Sequence, residues 1–458
     1  APGRQSTVFP QAPAGVLVPG DPGVPDTIAP VYYMGFMPRL GVAWDPDGKA
    51  RTTVRAGYAI FYDTLANGVG GPLRVATQTL PWVIVRQVTG NTVNFGQPFG
   101  AVTPSFAPGM FTQPMNLFTI SNDLKPPYAQ DWNLAIQRAW GEQTVELRYV
   151  GTKGTHLPRF IDANPAAYQP GATAANAGRR RIYANCPDAT SPCALGYAAL
   201  VDGSTNSTYH AAQASVSRRF QKGAGFNVSY TYSKSLDYSS SLHIAGPAPI
   251  LVSGEMDLAQ NPFDLRAEHG RSLFDARHRL VASGIWQPAW FHDSTTLVKR
   301  VFDQWELSAI IVANTGTPFT VYDSRNVSLQ AAIPPVAGTF ASRPDAVSDP
   351  NGFSGRSIEQ WISPASFRRL NATTEAGRFG NEGRNIVQGP GKANVDLSLA
   401  RTFPMTERLN LQFRAEAFNA MNHANLGIPV NDMVSPNFGR VLEAGPPRLI
   451  QFALKLLW

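Results

Sequence analysis

The sequence predicts an all-β fold: an antiparallel, transmembrane outer-membrane β-barrel of about eleven strands, with short periplasmic turns at one end and long extracellular loops at the other. Three observations predict it. The stretch Arg448 to Trp458 alternates strictly, with Ile450, Phe452, Leu454, Leu456 and Trp458 on one side and Gln451, Ala453 and Lys455 on the other. That is the period-2 signature of a strand with one apolar face. Only 16% of residues are charged, against about a quarter in ordinary soluble domains. Yet no run of about 18 apolar residues is present to make a membrane helix. A barrel reconciles these two facts, because alternation dilutes its apolar signal. Finally, the connections between strand-like stretches alternate short and long from first to last. An outer-membrane barrel sorts its loops this way, and a soluble sandwich has no reason to. Taken alone, the terminal stretch would also suit a soluble sandwich strand with a buried face.

Residues 1–37 are rich in Pro and Gly without periodicity and read as a loop; the strands and their connections fill 38–458. Pro38 to Asp45 and Arg51 to Asp63 flank DPDGK, whose Asp-Gly is a hairpin signal. Within the second stretch Val54, Ala56, Tyr58, Ile60 and Tyr62 oppose Thr53, Arg55 and Gly57. A long Gly-, Pro-, Thr- and Asn-rich segment precedes the next pair, Tyr128 to Trp140 and Glu142 to Thr152, joined through Gly141. A third hairpin, Ser207 to Gln221 and Ala224 to Ser235, turns at Lys222-Gly223. Its second strand alternates most cleanly, with Phe226, Val228, Tyr230 and Tyr232 opposite Asn227, Ser229, Thr231 and Ser233. Arg277 to Gln287 and Asp303 to Asn314 follow, joined by PAWFHDSTTLVKRVF. After the longest loop, 315–392, Ala393 to Phe403 pairs with Glu407 to Asn419 over Pro404-Met405-Thr406. Eleven is odd, whereas single-chain bacterial barrels have even strand numbers; it is half of the 22 found in large transporters. The remaining strands are therefore expected in upstream sequence.

On these strands the charged residues Arg55, Glu146, Arg148, Arg414 and Glu416 fall on the polar faces and are expected to line the lumen. Tyr58, Tyr62, Trp132, Trp140, Tyr149, Tyr230, Tyr232, Trp286, Trp305 and Trp458 gather toward strand ends, as interfacial girdles do. An eleven-strand run whose first turn is short ends on the short-turn side, which puts Trp458 at the periplasmic interface. Ile450, Phe452, Leu454, Leu456 and Trp458 are accordingly the candidate signal for the barrel-assembly machinery.

Net charge is +7, but Lys and Arg are scattered. The one dense cluster, Arg179, Arg180 and Arg181, reads as a solvated loop, so no nucleic-acid partner is predicted. Cys186 and Cys193 are the sole cysteines and sit in a polar loop. A local disulfide in an oxidising compartment suits them best, a free cytosolic pair being the alternative. They are too few for an ordinary zinc site. The opening APGRQSTVFPQAPAG has neither the basic start nor the apolar core of an export signal; the chain is expected to begin mid-protein.

Several segments, in this order, resemble one family: MPRLGVAWDPDG and TTVRAGYAIFYD, then GRSLFDARHRLVASGIW, ANTGTPFTV, GPGKANVDLSLARTF and LQFRAEAFNAMNHANLG. Together they resemble the C-terminal barrel half of TonB-dependent receptors of the acidobacterial Oar-like type. The resemblance spans essentially the whole chain. It implies uptake of a bulky nutrient such as a siderophore, glycan or peptide through a plugged barrel. Extracellular loops would bind the substrate, and TonB would drive plug movement from the periplasm. It also implies a regulatory-like domain, a plug and a TonB-engaging segment upstream, none of which this sequence carries. A surface or adhesion protein working through its long loops is the alternative.

Catalytic spacing is absent: there is no HExxH, GxSxG, GxxxxGK or helix-opening GxGxxG. In GPGK, Gly389 to Lys392, Ile386 stands where a phosphate loop needs glycine. No enzyme activity and no cofactor are predicted. His278, beside Asp275, reads as a rim histidine bonded between Arg277 and Arg279 rather than a metal ligand.

Overall fold

The computed structural model describes residues 3–24, 32–63, 114–173, 175–184, 186, 188–190, 193–240, 259–288, 303, 305–325, 327–329, 342–406 and 408–458. Most of the connection between Trp286 and Trp305, and parts of several predicted loops, lie outside the described residues. The strands are β1 (Arg39–Trp44), β2 (Thr52–Tyr62), β3 (Met115–Ile120), β4 (Tyr128–Trp140), β5 (Gln143–Asp162), β6 (Leu195–Gln221), β7 (Ala224–Asp237), β8 (Gly270–Arg271), β9 (His278–Trp286), β10 (Trp305–Asn314), β11 (Pro318–Phe319), β12 (Asp345–Ala346), β13 (Phe367–Arg368), β14 (Val387–Gln388), β15 (Lys392–Pro404), β16 (Asn410–Phe418) and β17 (Leu449–Leu457). Among the described residues no helix is long and apolar enough to cross a membrane.

Eleven strands form one continuous path, β1-β2-β4-β5-β6-β7-β9-β10-β15-β16-β17, each antiparallel to its neighbour. These are the eleven stretches that alternation predicts. The turns are tight where two-residue loops demand it: Gln221 pairs with Ala224, and the intervening Lys222 and Gly223 both have positive φ, 52° and 75°. Positive φ at both central residues matches the right-handed twist of the flanking strands. Among the described residues no ladder joins β1 to β17, and both present exposed edges.

The registers stagger steadily. A line of paired residues runs from Gln451 through Glu416, Ser398, Ser308 and Ile285 to Gly225. It starts near the long-loop end of β17 and finishes beside the short β6–β7 turn. Such stagger is the tilt that a curving barrel wall requires.

Three differences from the sequence expectation follow from contacts that carry no periodicity. β3 lies inside a predicted loop and pairs with β6 in parallel rather than antiparallel sense. β5 and β6 run on to 20 and 27 residues, beyond the 9–11 a membrane strand needs. Their ladder continues through register shifts between Gly154 and Arg159. The described residues of the loop 315–392 form a folded body: the two-stranded sheets β11–β14 and β12–β13 surround a core of Phe319, Val321, Ile362, Phe367 and Val387.

Candidate functional site

Directly paired residues in an antiparallel ladder share a face, so the registers sort every side chain of the sheet. One face carries Leu40, Val42, Val54, Ile60, Leu134, Ile136, Val145, Leu147 and their partners across to Leu397, Leu399, Phe452 and Leu454. Many are exposed in the protein alone: Val42 67%, Leu147 59% and Leu454 70%. That face belongs against lipid. Trp44, Trp140, Trp286 and Trp305 lie on it at the short-turn end. Tyr62, Tyr128, Tyr149, Tyr230 and Tyr232 lie on it toward the long loops. The belt at the short-turn end is thus of Trp, and the one toward the long loops is mostly Tyr, with Trp132 beside Tyr58.

The other face is polar. The registers bring Arg55, Glu146, Arg148, Arg414 and Glu416 onto it together. Arg148 pairs with Glu146 at 2.8 Å and Arg414 with Glu416 at 3.5 Å; Gln451 of β17 also donates to Glu416. Near the short turns this face holds a groove of about 690 Å³ lined by Ser217, Asn227, Ser283, Ile285, Ser308 and Ile310. Small hydroxyl residues floor it, while Ile285 and Ile310 stand 43% and 51% exposed.

At the long-loop end the chain builds two ordered bodies. In the first, the Asp21 carboxylate accepts bonds from Ser6 Oγ, the Thr7 amide and hydroxyl, and the Val8 and Val18 amides. Burial alone would raise its pKa, but those donors, the Val18 amide foremost, hold it well below the usual carboxylate range. The segment so tied docks Ala12 and Val16 on Met115, Ala194 and Leu195 at the distal end of β3 and β6. Nearby, Cys186 and Cys193 are joined in a disulfide.

Of the arginine cluster only Arg179 is exposed, as a solvated loop requires. Arg180 and Arg181 are buried, 6% exposed each. Arg181 pairs with Asp162 at 2.8 Å, and Arg180 donates to the carbonyls of Ala167 and Thr173 and to that of Leu329 in the second body. Backbone carbonyls left over by irregular loops need donors, and guanidinium forks supply several at once.

The second body is fastened to the sheet by a buried ionic network. Arg343 forks onto Glu268 at 2.9 and 3.1 Å. Arg384 donates to the Glu268 carbonyl and to Asp237 at the end of β7. Arg159 of β5 reaches the Tyr238 carbonyl at 2.9 Å. Alternation along strands gave no signal for these residues, since they lie outside the alternating stretches or at their frayed ends. Within the same body Asp345 is held below its ordinary pKa. Burial opposes the shift, and Arg378, the Asn381 amide and Arg368 outweigh it. Arg368 is also the main cause that lowers Glu375 to about 2. Glu382 goes the other way: complete burial raises its pKa well above normal. Its Oε1 accepts from the Val321 amide at 2.9 Å, and Oε2 has no hydrogen-bond partner among the described residues.

His278 does not bridge Arg277 and Arg279. Its Nδ1 lies 2.6 Å from Tyr230 Oη. Asp275 is engaged by Arg271 Nε at 2.7 Å and the Ser235 amide at 2.8 Å. Among the described residues no group of three or more His, Cys, Asp or Glu could hold a metal ion.

The profile of the outer membrane beta barrel domain matches residues 1–451. The chain belongs to that family. Its place is therefore the bacterial outer membrane. Among solved structures, this barrel chain is similar to the outer membrane transporter YddB of Escherichia coli: 10% identity, TM-score 0.46, covering 91% of this chain and 40% of that one. It is also similar to the ferripyoverdine receptor of Pseudomonas aeruginosa, with 11% identity, TM-score 0.40 and coverage of 92% and 32%. The FrpB iron transporter of Neisseria meningitidis gives 11% identity, TM-score 0.38 and coverage of 92% and 38%. This barrel chain spans under half the length of each. No curated protein matches the sequence.

Proposed function

We propose that this barrel chain is the C-terminal part of a TonB-dependent receptor of the Oar-like type. The complete protein would take up a bulky nutrient, such as a siderophore, glycan or peptide, through a plugged lumen. The observation that carries the reading is the eleven-strand sheet, sorted into a lipid face and a charged face, with β1 and β17 unpaired to one another among the described residues. Eleven further strands supplied upstream would close it at 22, wide enough for a plugged lumen. In that barrel Arg55, Glu146, Arg148, Arg414 and Glu416 line the lumen and offer hydrogen bonds to a plug. The groove between Ser217 and Ile310 receives one of its loops. TonB engages an upstream segment, and the exposed apolar row of β17 with Trp458 is read by the barrel-assembly machinery.

The test is uptake by cells carrying the complete gene, with the candidate nutrient classes offered singly, before and after the proton gradient is collapsed. Gradient-dependent accumulation of one class is the expected result. Surface binding that is identical with and without the gradient would overturn the transport reading. It would favour adhesion, which the two ordered bodies at the long-loop end also suit.

A further inference from the structure

We infer that the outward face carries a binding site for the phosphate groups of outer-leaflet lipid, formed by Lys153, His210 and Lys234 on β5, β6 and β7. The site rests on the outer-membrane location and not on the transport reading.

Height is the first argument. Lys153 stands ten positions from Gln143 at its short turn (153 − 143), and Lys234 ten positions from Ala224 at its own (234 − 224). Ten residues at about 3.3 Å each, tilted by about 40°, climb about 25 Å, the height of a barrel's apolar band. Both lysines therefore sit where acyl chains give way to headgroups.

Clustering is the second. His210 pairs directly with Lys234 and with Gly151, two positions from Lys153. Direct and diagonal neighbours across a ladder lie within about 5 and 8 Å, so both lysines reach one group over the imidazole. All three side chains are exposed. Through the paired registers, the lipid-face positions of β4 to β7 include no Asp or Glu, and neither lysine makes an ion pair among the described residues.

The imidazole is also held in place. Tyr149 stacks on His210 with centroids 6.2 Å apart, and Trp132 meets it edge-on at 6.0 Å. Tyr149 Oη lies 2.8 Å from His210 Nδ1. With the phenol donating, Nε2 bears the proton and is a donor to the outside. Gly151 makes the arrangement possible, because a Cβ there would fall 2.2 Å from Trp132 Cε2. Two ammonium groups flanking an imidazole held by Tyr149 and Trp132, level with the headgroups, match a phosphate monoester.

The test uses the complete protein reconstituted in neutral phosphatidylcholine vesicles. These are doped with bisphosphorylated lipid A, with its dephosphorylated form, or with nothing. The expected result is a rise in unfolding temperature with the phosphorylated lipid alone. Lys153→Gln/Lys234→Gln should weaken lipid retention about thirtyfold, the sum for two lysines near an anionic surface. Lys153→Arg/Lys234→Arg should retain the lipid, and Lys49→Gln in a short turn should change nothing; heat-modifiable gel mobility reports folding of each. An equal rise with dephosphorylated lipid, an unchanged response in the double Gln variant, or full competition by inorganic phosphate would each overturn the site as a lipid site.

Discussion

The sheet and the second loop body solve the same problem with opposite means. Along the sheet the apolar side chains stay exposed, Phe452 at 73% and Leu40 at 69%, and lipid completes their burial. In the body between β10 and β15 the chain buries its own core, with Phe319, Val321, Ile362 and Val387 all at 0%. The sheet is held by a continuous ladder and needs only alternation. The body has strands of two residues and depends on packing and buried charge. The two regions should therefore fail independently and under different treatments.

Breaking the core is the strongest test. Phe319→Ala removes a fully buried ring and should destabilise the body by about 3–5 kcal/mol. Amide exchange should accelerate across 315–392 while heat-modifiable mobility of the barrel stays unchanged; coupled loss of both would erase the distinction. Arg384→Ala should cost about 3 kcal/mol, at the low end for a broken buried pair, since Asp237 keeps the Ser240 hydroxyl at 2.8 Å. Limited proteolysis should then release the body from the rim of β7.

The sheet is probed by neighbours on opposite faces. Leu147→Arg, on the lipid face, should cost about 2–4 kcal/mol in denaturant titration of the reconstituted protein. Arg148→Leu next to it loses only a partly exposed pair and should cost about 0–1 kcal/mol. Equal costs would mean that the two faces are wrongly assigned.

The smallest expected effect is in pH dependence. Glu382 has a folded pKa above its unfolded value, so the folded body binds more protons. Stability from that group is fully present below about 4.5 and is lost as pH rises toward the raised value. Asp345 and Glu375 act in reverse: their contribution is present above the ordinary carboxylate range and lost as pH falls through their lowered values. Glu382→Gln keeps an acceptor for the Val321 amide and removes the charge. It should slow amide exchange in the body at neutral pH and leave no difference from the parent below about pH 4.5.

This division also explains what the sequence reveals. Tyr128 to Trp140 is predicted and found with identical bounds, because thirteen residues of alternation leave little room for another register. β16 reads as Glu407 to Asn419 and is found as Asn410–Phe418, the usual fraying at strand ends. The core of the second body left no such trace. Phe319, Ile362 and Val387 meet across long stretches of irregular chain, and their neighbours are fixed by Asx-type turns and by arginines donating to carbonyls. The polar residues Arg55, Glu146, Arg148, Arg414 and Glu416 were legible as a face, since face follows from parity. Arg343, Glu268 and Arg384 were not, because a buried ionic network is a property of three-dimensional encounter alone.

The long β5–β6 hairpin has a consequence for the cell surface. With β6 at 27 residues and a membrane crossing that uses about ten, the hairpin stands on the order of 30 Å or more clear of the bilayer at about 3.3 Å per residue. At that height it shares space with surface polysaccharide. A macromolecule arriving from outside therefore meets this hairpin, and the Asp21-tied segment docked on its distal end, before the wall of the barrel.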